Sequence, residues 1–161
     1  MPIGRTDTIT GGAAADSLTG GASADRFVQA AAASFNANAA IAASATVYTF
    51  DLSLGIDVVT GFSAVQGDVV QLTGFAGAIT DSSADGNGAI TNTNATIFRG
   101  TYTAGTNTFV AGDGTGNDLL VFVAGATAAA AAGFAAVGIG NQGAVLLGAG
   151  GQTLGAAQII A

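Results

Sequence analysis

The chain has 161 residues, ten acidic side chains that are all Asp, three Arg, no His, Lys, Glu, Cys or Trp, and a net charge of −7. That length is one ordinary domain's worth with a buried core, and the missing Cys removes disulfides and thiolate metal sites. The acidic balance argues against nucleic acid, whose phosphates call for clustered Lys and Arg, and suits a hard cation instead.

With 26 Gly and one Pro beside abundant Ala, Thr and Ser, short strands joined by turns are expected over capped helices. The chain opens on a nine-residue word in three copies. Residues 2–10, 11–19 and 20–28 place Asp7, Asp16 and Asp25 sixth and the large apolar Ile9, Leu18 and Phe27 eighth, and Gly11, Gly12, Gly20 and Gly21 open the second and third copies. No basic stretch followed by an apolar one precedes them, so the N-terminus does not read as a secretory signal peptide.

Residues 30–45 are Ala-rich and predict a helix, or a loop holding a short helix. Residues 55–63 and 67–75 each carry an Asp-opened, period-two strand closed by Gly-Phe, and read as neighbouring coils or a hairpin. Residues 81–94 are Ser, Asp, Gly and Asn without apolar period and predict a surface loop. Strands are expected at 98–102, 108–110, 119–122 and 144–147. A fourth copy of the word spans 113–121, with Asp113 opening it, Asp118 sixth and Leu120 eighth; it also reads as a hairpin turn. Residues 127–137 are nearly all Ala and predict a helix over a sheet face or edge.

Residues 119–140 are uncharged and long enough to cross a bilayer, but Ala and Gly dominate and no Lys or Arg flanks them, so no membrane span is expected. Gly138, Gly140 and Gly143 spell G-x-G-x-x-G in the wrong setting, after a helix and before a strand, and read as a turn. Without His, Lys or Cys, no Ser or Thr has an ordinary base to activate it. Asp81 and Asp85 lie in a loop too polar to raise a carboxyl's pKa. No enzymatic activity is expected.

The nine-residue words resemble the G-G-x-G-x-D-x-U-x repeat of RTX proteins. Asp57, Phe62, Gly67, Asp68 and Leu72 also match the capping segment that follows such repeats, and the apolar end at 154–161 is similar to the family's type I secretion signal. The resemblance implies a parallel β-roll in which two words make a coil, with Asp7 and Asp25 facing each other across one calcium ion (Ca2+) and Asp16 on the opposite edge. Glycine-turn carbonyls at Gly11, Gly12, Gly20 and Gly21, and the acids Asp113 and Asp118, complete the implied ligands. Arg5, Ala14 and Ser23 stand where the family has its fourth-place glycine.

The expected fold class is therefore all-β: a short β-roll at residues 1–29 continuing into a β-sandwich-like or solenoid part at 30–161, packed as one unit with one or two short Ala-rich helices. The expected function is that of a secreted, calcium-dependent structural protein. A roll of about one and a half coils exposes strand edges and the Ile9, Leu18 and Phe27 row, which further copies of the chain would cover in a filament, surface layer or biofilm matrix. The alternatives are a C-terminal capping and secretion module of a larger adhesin or enzyme, and a small carbohydrate- or ice-binding β-solenoid. The partners implied are the chain itself, type I secretion machinery and a cell-surface polysaccharide, without nucleic acid.

Overall fold

The three words each form one short strand, because the apolar eighth residue is flanked by Thr, Ser, Val or Arg that tolerate solvent. These are β1 (Thr8–Thr10), β2 (Ser17–Thr19) and β3 (Arg26–Gln29). They are followed by β4 (Ile41–Ser44), β5 (Val47–Asp51), β6 (Asp57–Thr60), β7 (Val69–Leu72) and β8 (Ile79–Asp81). The rest are β9 (Ala95–Thr103), β10 (Thr108–Gly112), β11 (Asp118–Val123), β12 (Gln142–Leu147) and β13 (Ile159–Ile160). The structure, a computed structural model, describes residues 5–12, 14–29, 41–44, 47–52, 55–73, 75–81, 94–112, 115–123 and 142–161. Among these the protein is all-β, and its one helical element is a 3₁₀ turn at Ala64–Gln66.

The strands form two open sheets. The first is wholly parallel, in the order β1-β3-β7-β13. The second starts with parallel β2-β6-β12 and continues antiparallel through β11, β9, β10, β5 and β4, with β8 beside β9. From β1 to β3 the chain visits the first sheet, the second and the first again, and Thr8 pairs with Arg26, 18 residues on. The same alternation resumes with β6 and β7 and again with β12 and β13. β6 and β7 thus belong to different sheets, which excludes the hairpin reading of residues 55–75.

Side-chain alternation along the strands of the second sheet fills two cores. Leu18, Phe27, Val59, Val70, Leu119, Val121, Leu146 and Ile159 pack together between the sheets. The intervening residues Leu120, Phe122, Val145 and Phe98 face the other way and join Phe50 and Phe109. β11 reads Leu-Leu-Val-Phe-Val without polar alternation because both its faces are covered. In the outer core Phe50 lies 5.1 Å from Phe98, and Phe98 stacks on Phe122 at 6.1 Å. Each buried ring contributes about 2 kcal/mol through the surface it removes from water.

Ile41–Ser44 form a strand paired antiparallel with β5, not part of an Ala-rich helix. Cross-strand pairing overrides the helical preference of Ala at this short edge. Residues 30–40, the rest of that expected helix, and the helix expected at 127–137 lie outside the described residues, as do 82–93 of the expected loop. Gln142 and Gly143 begin β12, so the end of the G-x-G-x-x-G stretch is strand, while 138–141 are outside the description. No helix among the described residues is long and apolar enough to cross a membrane.

Candidate functional site

The sixth-place acids are held against the backbone. Asp25, 2% exposed, accepts the Asp7 N–H at 3.0 Å on Oδ1 and the Gly21 N–H at 2.7 Å on Oδ2. Ahead of β7, the next strand of the first sheet, buried Asp68 repeats the arrangement, accepting the Asp25 N–H at 2.8 Å and the Ser63 N–H at 2.7 Å. On the opposite edge Asp57 Oδ1 accepts the Asp16 N–H at 2.9 Å. Asp25, Asp57 and Asp68 therefore each tie the peptide before their own strand to the corresponding peptide beside the neighbouring parallel strand. Asp7, Asp25 and Asp68 stack along one edge, and Asp16 and Asp57 along the other.

The glycines make this approach possible. A Cβ on Gly11 would strike Asp57 Oδ2, and one on Gly20 would lie 2.9 Å from the Phe27 ring and 3.2 Å from Asp25 Oδ2. Gly12 has a φ of 100°, which only glycine adopts freely, and Ser23 takes 146° at the place where the repeat calls for glycine. The backbone thus keeps the repeat's turn where the side chain departs from it. Ile9 is half-buried, whereas Leu18 and Phe27 are buried between the sheets.

The calcium ligands implied by the resemblance do not come together as a cage. Asp7 and Asp25 are joined by a direct backbone-to-carboxylate hydrogen bond, and both oxygens of Asp25 and of Asp68 are engaged by N–H donors. Asp118 begins β11, which runs antiparallel to β12, and accepts the Tyr102 and Gly148 N–H groups, both at 2.9 Å. It shares no hydrogen bond with Asp7, Asp16 or Asp25. Asp113 lies outside the described residues, and among those described no three acidic side chains converge. In the structure these carboxylates act as backbone acceptors.

Asp57 and Asp68 entered the sequence reading only through the capping motif, and their place in the two acid stacks was missed. Their registers, Asp16 with Asp57 and Arg26 with Val69, are 41 and 43 residues, so the 18-residue period hides them. Burial pushes the Asp57 carboxyl up from 3.8 to about 6; the nearby Asp16 charge adds to the rise, while hydrogen bonds from the Asp16 N–H and the Gln29 side chain oppose it. The folded chain thus holds this proton more tightly than the unfolded one. The resulting stability is fully present below pH 3.8 and is lost as pH rises through about 6. Asp57→Asn keeps an Oδ1 acceptor and removes the buried charge. It should be about 1–2 kcal/mol more stable than the parent at pH 7.5 and nearly equal at pH 4. Urea titrations at the two pH values measure this directly, and a variant weaker at pH 7.5 would show the charged form to be the favoured one.

A second feature lies on the outer face of the second sheet. A groove of about 480 Å³ runs between β2 and β6 on one side and the turn after β9 on the other. Ile56, Val58 and Leu147 give it an apolar lining, and Asp16, Ser17, Thr60, Tyr102 and Asn107 its polar groups. The Tyr102 hydroxyl donates to Asn107 Oδ1 at 2.8 Å. Neither family models nor curated proteins match this chain.

Proposed function

We propose that the chain is a secreted, non-catalytic structural module: a short β-roll, open at one end to a further coil and covered on its second sheet at the other by antiparallel strands. The observation that carries the reading is the difference between those ends. Among the described residues β1 and β2 each pair on one side only, whereas at the other end β12 is covered by antiparallel β11 and only the two-residue β13 keeps an unpaired edge. The acid stacks have the same polarity. Asp25 and Asp68 receive an N–H from the coil before, while no described residue donates to the carboxylates of Asp7 and Asp16, which await such a coil. At the other end the register puts Ala157 where the next acid would stand, and Gln152 ties back to the preceding turn, accepting from the Ala64 N–H at 2.6 Å and donating to the Phe62 carbonyl at 3.0 Å.

This polarity favours a cap on a longer roll over an endless filament, because growth at the far end is blocked on the second sheet by β11 and is left only the short β13 edge. Self-assembly remains the second reading, supported by the same unpaired β1 and β2 edges, which a second copy could cover. Export by type I machinery is proposed on the likeness of the C-terminal segment alone.

Adding one coil of two consensus words ahead of Arg5 tests the proposal. The extended chain should melt roughly 5 °C higher and exchange the Thr10 and Thr19 amides, which face the open edge, more slowly, and unchanged exchange at both would refute an open end. Sedimentation of the unextended chain, with and without millimolar calcium, should give monomers or dimers. Long polymers would instead restore the filament.

A further inference from the structure

We infer that the groove beside Asp16 is a binding site for a neutral saccharide. Its size falls within the roughly 300–1,000 Å³ typical of small-molecule sites, as does its make-up of apolar surface with a few converging polar groups. Tyr102 is only half-buried, so an aromatic ring stands at the groove beside the aliphatic carbons of Val58 and Leu147. The C–H face of a sugar ring packs against such a surface without leaving a polar group dry.

The polar groups decide the ligand's class. Asp16 spends its N–H on Asp57, but its carboxylate receives no hydrogen bond from any described residue. Asn107 uses its oxygen to accept from Tyr102, leaving the amide NH₂ as a donor. Ser17 and Thr60 add hydroxyls that give or take a proton. The groove thus offers a charged acceptor on one wall and an amide donor on the other.

An anionic ligand is disfavoured by Asp16, by Asp57 behind it and by the net charge of −7. An ammonium group can only donate, and would leave the Asn107 amide unmatched. Adjacent sugar hydroxyls both donate and accept, and so satisfy the carboxylate and the amide together. The inference concerns the chain without a further coil, because a coil added ahead of β2 would draw on the same Asp16 carboxylate.

Amide-resolved NMR titration tests it, with cellobiose, maltose and N,N′-diacetylchitobiose as neutral probes, glucuronate as the anion and putrescine as the cation. At least one neutral disaccharide should shift the Ser17, Thr60, Tyr102 and Asn107 amides saturably, with a Kd of about 1 mM or tighter. Asn107→Asp retains the Tyr102 acceptor and the tolerance for the φ of 49° at this position, but turns the donor into an acceptor. It should weaken binding roughly tenfold or more with an unchanged melting temperature. Thr60→Trp, at an exposed position, should fill the groove and abolish the shifts. The inference fails if no neutral probe binds, if putrescine alone binds, or if saccharide binding survives Thr60→Trp.

Discussion

Asp68→Ala should cost about 4 kcal/mol, the largest effect of any single acid in the chain. The side chain has no exposed surface, and its oxygens accept the N–H groups of Asp25 and Ser63 at 2.8 and 2.7 Å. Alanine would leave both donors without a partner, at about 1–3 kcal/mol each, and hydrogen bonds to a carboxylate lie at the strong end of that range. Asp68→Asn should lose about half as much, because one oxygen still accepts while the new NH₂ confronts an N–H. Val65→Ser, 96% exposed in the neighbouring 3₁₀ turn, serves as a control near zero. Denaturant midpoints rank the three. The same titrations in millimolar calcium separate two accounts of the acids. If backbone capping is their role, the parent gains little from calcium and the ranking is unchanged. A parent stabilised by several kcal/mol, with Asp68→Ala left behind, would return the acids to metal binding.

The sequence made the first three strands legible because the word is short and unbroken. Asp, apolar residue and turn recur at fixed places, and the register of Thr8 with Arg26 is the one that two words dictate. Strand positions at 57–60, 69–72, 119–122 and 144–147 were legible for a related reason: runs of Val, Leu and Phe have few other uses. What could not be read was which strand pairs with which once the interval grew from 18 to more than 40 residues. Asp57 and Asp68 follow their partners across intervening chain, and β11 carries the word's residues while running antiparallel to the strand beside it. The word at 113–121 shows that a sixth-place Asp can serve one end of an antiparallel strand as well as a coil: Asp118 caps two N–H groups without any stacked neighbour of its kind. β4 was lost to composition, since three of the four residues Ile-Ala-Ala-Ser favour no strand except by pairing with β5. The groove was beyond the sequence altogether, because Asp16, Thr60 and Asn107 share no local pattern and meet only through the sheet.

Gly100→Ala should cost about 3 kcal/mol, for a steric reason that composition alone does not reveal. β9 pairs with β11 up to Gly100 and with β10 from Gly100 onward, so this residue sits where the sheet passes from one partner to the next. Its missing Cβ is replaced by backbone: a methyl there would strike the Val110 carbonyl oxygen and lie 2.7 Å from the Phe109 ring. A Cβ on Gly116, whose φ is 111°, would likewise strike the Gly100 carbonyl, so the two backbones run close together there. Relief requires moving β10, and with it Phe109, which lies 6.2 Å from Phe50 in the outer core. Overpacking against a ladder of this kind costs about 1–3 kcal/mol when side chains can yield, and here the obstruction is backbone. Gly12→Ala provides the comparison. Its φ of 100° is unfavourable to alanine, but nothing lies within 4 Å of the added methyl, so it should cost only about 1 kcal/mol. Thermal and urea unfolding of the two variants measure the difference. If Gly100→Ala is no worse than Gly12→Ala, β10 moves freely and the close approach at the bend does not hold the outer core together.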